Sequence, residues 1–137
     1  MAESGRVLVD SSIWIDFFRG SHDAVETLSA IIRGHRVVIC GQIMQEVLQG
    51  SRDASAFDKI ERKMSIWDYE AERAEDFRLA ARLFAQLRWK GVTVPPSDCL
   101  IAAVARRCRL PIYASDPHFS KIPQVRLFEE NRADQNQ

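Results

Sequence analysis

The chain has little cysteine, with three in 137 residues, and no excess of either charge, with 19 Lys and Arg against 19 Asp and Glu. Cys40, Cys99 and Cys108 are odd in number and lie in apolar surroundings. They lack the paired spacing of a zinc site or a disulfide framework, so they read as reduced core thiols. The balanced charge neither marks a nucleic-acid binder nor excludes one, because a basic face can coexist with an acidic pocket. No apolar run approaches the roughly 18 residues that a membrane span requires. With the unpaired cysteines, this leads us to expect a cytoplasmic protein without a membrane partner. A repeat, a low-complexity segment and a Pro/Gly/Ser-rich linker are also missing, so a single domain over 1–137 is expected, ending in a frayed polar tail, "EENRADQNQ", at 129–137.

What is present is an ordinary globular composition, 46% hydrophobic and 28% charged. At this length roughly two-thirds of the unfolded chain's surface can be buried, so the core needs no metal or disulfide. Apolar runs predict strands at 6–9, 36–40, more weakly at 65–69, and in "LPIYAS" at 110–115, with "VRLF" at 125–128 as a candidate last strand. Between them, helical spacing predicts helices over "SIWIDFFRG" (capped by Ser11 or Ser12 and ended by Gly20), from Asp23 to Gly34, from Gly41 to Leu48, and from Ala54 to Lys63. The longest runs from Glu70 to Trp89, with an apolar stripe of Ala71, Ala74, Phe77, Ala81, Phe84 and Leu87 read as core or subunit contact. Another, "DCLIAAVARRC", would be capped by Ser97 or Asp98. Alternating strands and helices imply an α/β fold, a central mostly parallel sheet of four or five strands flanked by helices, with ligands at the carboxyl ends of the strands.

Four acids stand in apolar or chain-turning places: Asp10 after the first strand, Glu46 in "GQIMQEVLQG", Asp98 at a helix start, and Asp116 after "PIYAS". Taken singly, each has a structural explanation as a helix cap, a solvated helix residue or a turn opener. Taken together, at least Asp10, Asp98 and Asp116 are brought by this topology towards one edge of the sheet, where carboxylates repel unless a cation holds them. Oxygen donors with neither cysteine nor histidine among them suit Mg²⁺ or Mn²⁺. Such ions activate water and stabilise phosphoryl displacement.

The blocks "VLVDSSIWIDFFRG" (7–20), "EVLQG" (46–50) and "PPSDCLIAAVARRCRLPIYASDPHFSKI" (95–122) make the chain resemble the PIN-domain ribonucleases, and among them the VapC-type toxins of toxin–antitoxin pairs. The resemblance implies a divalent-metal-dependent endoribonuclease that inhibits translation by cutting RNA, tRNA or rRNA, to leave 5′-phosphate and 3′-hydroxyl ends. It places metal-binding catalytic carboxylates at Asp10, Glu46, Asp98 and Asp116, and an orienting hydroxyl at Ser12, which could equally cap the helix. It further implies a homodimer and a VapB-like antitoxin, part of which would sit against the aromatic face of Trp14, Phe17 and Phe18. The chain departs from the pattern at Ala114, where relatives often carry Thr or Ser, and at His118, where many carry an acid or Asn. These departures leave open a fifth ligand and the number of metals.

Arg19, His118 and Lys121 are the candidate substrate contacts, while Arg106, Arg107 and Arg109 are expected to complement the far end of their helix. His22 and His35 are read as solvated turn residues. The rival readings are a catalytically silent PIN-like module that binds RNA or protein, and another acid-rich phosphoryl-transfer protein such as a phosphatase or receiver domain. A receiver's acceptor aspartate and later lysine are not found in the required arrangement.

Overall fold

The computed structural model describes residues 5–129, so all but Glu129 of the tail expected at 129–137 lies outside the described residues. The order is β1 (Arg6–Val9), α1 (Ser11–Phe18), α2 (His22–Gly34), β2 (Arg36–Cys40), α3 (Gly41–Gln49), α4 (Ala54–Met64), β3 (Asp68–Glu70), α5 (Ala74–Trp89), α6 (Pro96–Cys108) and β4 (Ile112–Tyr113). A 3-10 turn, Pro117–Lys121, follows. The four strands form one parallel sheet in the order β3-β2-β1-β4. Val7, Leu8, Val9 and Val37–Cys40 are buried on both faces, which is why these segments are continuous apolar runs with no polar alternation. The sequence progresses from β1 through β2 to β3 on one side and returns to β4 on the other. The winding therefore reverses between β1 and β4, the position at which open α/β sheets leave a crevice.

Several elements differ from the sequence-based expectation. The third strand is shorter and displaced to 68–70, where Glu70 pairs with Cys40. "VRLF" contributes a single bridge from Leu127 to Ile112 and no strand. The helix expected from Asp23 opens at His22. The long helix starts at Ala74 instead of Glu70, and its inward face is Asp76, Ala80, Leu83 and Leu87. Phe77, from the expected apolar stripe, is 56% exposed. The stripe misled because one of the inward positions is polar. Arg107 donates two bonds to Asp76 from Nε, at 2.9 and 3.1 Å, and one from Nη2 at 3.0 Å. That pairing lets a carboxylate sit 1% exposed between α5 and α6. Burial pushes the Asp76 pKa up, but the Arg107 bonds outweigh it and the net shift is downward. Arg107 thus lies in the last turn of its own helix, as expected, and also ties that helix to α5.

Eight consecutive residues of α6, Asp98 to Ala105, are buried, with α6 packed against α5, α3 and the 3-10 turn. Ala102, Ala103 and Ala105 let its neighbours approach closely. Trp14 is fully buried and its indole Nε1 donates to the Val9 carbonyl at 3.1 Å, fixing α1 over β1. Phe17 and Phe18 are half-buried, with both rings 6.0 Å from Trp14. His35 is half-buried with its ring edge-on to Phe128, centroids 5.0 Å apart, and so is not the solvated turn residue expected.

Candidate active site

The site is built where β1 and β4 end side by side. The Asp10 amide donates to the Tyr113 carbonyl at 2.9 Å, which sets the residue after β1 against the residue ending β4. Asp116 follows three residues later and opens the 3-10 turn, with its Oδ1 accepting the His118 amide at 2.9 Å. Pro117 at the first helical position fixes the turn's entry. Asp98 reaches the same edge from the first turn of α6. Pro95 is the N-cap there and Asp98 makes no capping bond, so the cap expected at Ser97 or Asp98 is not formed.

Asp10, not Ser11 or Ser12, is the N-cap of α1. Its Oδ2 accepts the Ser12 amide at 3.4 Å and the Ser12 hydroxyl at 2.9 Å. Its Oδ1 is buried with no hydrogen-bond partner among the described residues, and the residue is only 4% exposed. One oxygen is held in place and the other is presented to the site. Burial raises the Asp10 pKa, against the Ser12 bonds that lower it, with a smaller upward push from Glu46.

Ser11, freed from capping, donates through its hydroxyl to Glu46 Oε1 at 3.0 Å, while the Gln42 side-chain amide donates to Oε2 at 3.3 Å. Glu46 is thereby aimed from α3 towards Asp10. The start of α3 is itself clasped by Glu72, whose carboxylate accepts the backbone amides of Gly41 at 3.0 Å and Gln42 at 2.6 Å. Nothing in the sequence marks Ser11, Gln42 or Glu72 for these roles, because each depends on a partner brought close by folding.

Asp98 has its pKa pushed up to about 6: burial is the main cause, Asp10 repels it, His118 offsets part, and Asp116 repels it further. His118 Nδ1 stands 3.1 Å from Asp98 Oδ2 and 2.8 Å from Asp116 Oδ1. Asp98, Asp116 and His118 each offer one ligand atom within a 4.8 Å group. Asp10 and Glu46 lie outside that tightest group, Asp10 within electrostatic reach of Asp98 and Glu46 within reach of Asp10. Among the described residues no Lys or Arg forms an ion pair with any of these four acids. A carboxylate cluster with an unpartnered buried oxygen and no Lys or Arg partner among the described residues fits a divalent cation, and its mainly oxygen donors suit Mg²⁺ or Mn²⁺. Arg19 is the C-cap of α1, roughly 13.5 Å along the helix from Asp10. Lys121 is exposed at the end of the 3-10 turn. Neither makes a hydrogen bond or ion pair to the carboxylates.

The PIN domain family profile matches residues 7–125, the span that holds every one of these acids. The chain belongs to the PIN-domain family. Solved structures similar to this PIN domain include VapBC2 from Rickettsia felis bound to a promoter DNA fragment, at TM-score 0.77 and 16% identity over 92% of this chain and 99% of that one. A toxin–antitoxin complex from Klebsiella pneumoniae aligns at TM-score 0.72 and 22% identity, over 87% and 94%. VapC20 from Mycobacterium tuberculosis, a sarcin-ricin loop cleaving toxin, aligns at 0.67 and 17%, over 88% and 98%. No curated protein sequence matches the chain. At these identities the likeness establishes the PIN fold, a four-stranded parallel sheet flanked by six helices. Among the described residues no helix is long and apolar enough to cross a membrane.

Proposed function

We propose that this PIN domain is a divalent-metal-dependent endoribonuclease and the toxin of a toxin–antitoxin pair, hydrolysing phosphodiester bonds in tRNA or rRNA and so inhibiting translation in the cytoplasm. The observation that carries the reading is the buried, unpartnered Oδ1 of Asp10 facing a carboxylate cluster at the switch point of the sheet. Asp10, Glu46, Asp98 and Asp116 would hold Mg²⁺ or Mn²⁺, which when bound supplies Lewis-acid stabilisation of phosphate oxygens and a nucleophilic water at neutral pH. The protein's own contribution is positional. Ser12 fixes Oδ2 of Asp10, Ser11 and Gln42 fix both oxygens of Glu46, and the His118 amide fixes Asp116. Such a frame spares the reorganisation that loose carboxylates would undergo as charge develops.

Two surfaces support the partners. A cleft of about 620 Å³ among α1, α3 and α4 has an apolar floor that includes Ile15, Phe18 and Ile60, and a basic rim that includes Arg19, Arg52 and Lys63. An antitoxin helix with an apolar face flanked by acids would fit it. On α5, Phe77 and Trp89 are 56% and 73% exposed, suited to contact with a second copy of the chain.

The test is incubation of purified protein with tRNA and rRNA in Mg²⁺ or Mn²⁺. Cleavage is expected that stops with EDTA and in Asp10→Asn. Cleavage indifferent to chelator would overturn the mechanism, and metal binding without cleavage would favour a silent RNA- or protein-binding module.

A further inference from the structure

His118, two residues after Asp116, sits on the carboxylates. Its Nδ1 is 3.1 Å from Asp98 Oδ2 and 2.8 Å from Asp116 Oδ1. Six-coordinate Mg²⁺ or Mn²⁺ with bonds of about 2.1 Å places adjacent donors about 3 Å apart, which is the spacing His118 Nδ1 keeps from each acid. The turn fixes the His118 backbone beside Asp116, because its amide is bound to Asp116 Oδ1 and Pro117 sets the preceding residue. Independent evidence for a cation comes from across the site, where Asp10 Oδ1 is buried without a partner.

We infer that His118 is a metal ligand through its imidazole nitrogen and that it tilts the site towards Mn²⁺ over Mg²⁺. The inference rests on the metal-dependent reading above and deepens it. Carboxylate and water oxygens serve both ions, whereas imidazole binds transition metals and contributes little to Mg²⁺, which holds its waters. A nitrogen donor in place of an oxygen therefore favours Mn²⁺ selectively. Before an ion arrives, a proton on Nδ1 bridges two acids that would otherwise repel, and metal binding releases that proton to solvent.

The experiment is pulsed EPR on chelator-stripped protein loaded with less than one equivalent of Mn²⁺, reading the ¹⁴N coupling of a directly bound imidazole. The wild type should show the coupling, and His118→Asn should bind Mn²⁺ without it, which also sets aside His22 and His35 as its source. In competition, the Mn²⁺-over-Mg²⁺ preference should fall on the order of tenfold in His118→Asn and in His118→Asp. Bound Mn²⁺ with no nitrogen coupling in the wild type, or coupling that survives His118→Asn, would overturn the inference and leave the metal-dependent reading standing. Failure to bind Mn²⁺ at all would overturn both. If His118→Asn does not fold by circular dichroism, the wild-type spectrum and that of His118→Gln decide between the same outcomes.

Discussion

The Ser11 hydroxyl donates to Glu46 Oε1 at 3.0 Å, joining residues 35 apart in sequence at the mouth of the acidic site. Because the bond fixes a carboxylate rather than filling the core, its loss should weaken function more than stability. Ser11→Ala is expected to reduce Mn²⁺ affinity or cleavage rate roughly tenfold or more, while unfolding free energy falls by about 1 kcal/mol. Titration calorimetry and urea denaturation measure the two. Equal activity in the variant and wild type would show that Glu46 needs no such guidance.

The Asp98 carboxyl titrates near 6 in the fold against an ordinary 3.8. The folded protein then holds this proton more tightly than the unfolded chain. Its contribution to stability is full below about pH 4 and is lost as the pH rises through about 6. In metal-free protein, Asp98→Asn should gain on the wild type as the pH goes from 4.5 to 7.5, by on the order of 2 kcal/mol. Thermal melts of both proteins across that range test the sign. A difference that does not change with pH would contradict it.

Arg107 and Asp76 form the tie between α6 and α5, with side chains 15% and 2% exposed. Arg107→Ala strands a buried carboxylate and should cost about 3 kcal/mol or more. Arg107→Leu combined with Asp76→Leu should recover much of that loss, since apolar residues can replace a buried pair. Metal affinity should be unchanged in the double variant, because the tie lies away from the acidic edge. Chemical denaturation and Mn²⁺ titration measure the two halves.

Gly41 is closely approached by two side-chain ends. An added Cβ would come within 2.8 Å of both Glu72 Oε1 and the Tyr69 hydroxyl. Gly41→Ala should push Glu72 off the start of α3 and cost about 1–3 kcal/mol. Glu72→Ala should make the glycine substitution milder, so the pair is expected to be non-additive in a double-mutant cycle. Additive losses would mean that the Tyr69 contact governs instead.

Much of this is legible in the sequence where the chemistry is local. Val7–Val9 and Val37–Cys40 announce doubly covered strands because burial on both faces leaves no place for a polar residue. Asp10 stands out because it ends such a run, and Asp116 because it follows another closely. What stays hidden depends on partners distant in sequence. Asp76 looks like a solvent-side residue because its guanidinium partner lies 31 residues away. Ser11 looks like a cap because Glu46 is invisible from α1, and Asp10 proves able to cap through one oxygen while presenting the other. His118 looks like a substrate contact for the same reason: only the fold shows that its nitrogen lies between two acids.

The position of β1 in the sheet has a consequence for biosynthesis. Its neighbours are β2 and β4, and β4 begins only at Ile112. While the ribosome is still extending the chain, Asp10 has left the exit tunnel long before the segment carrying Asp116 exists to meet it. The centre can assemble only when translation of the domain is nearly finished, so a prematurely terminated fragment lacks it. A protein proposed to attack the translation machinery is thereby kept inert through most of its own synthesis.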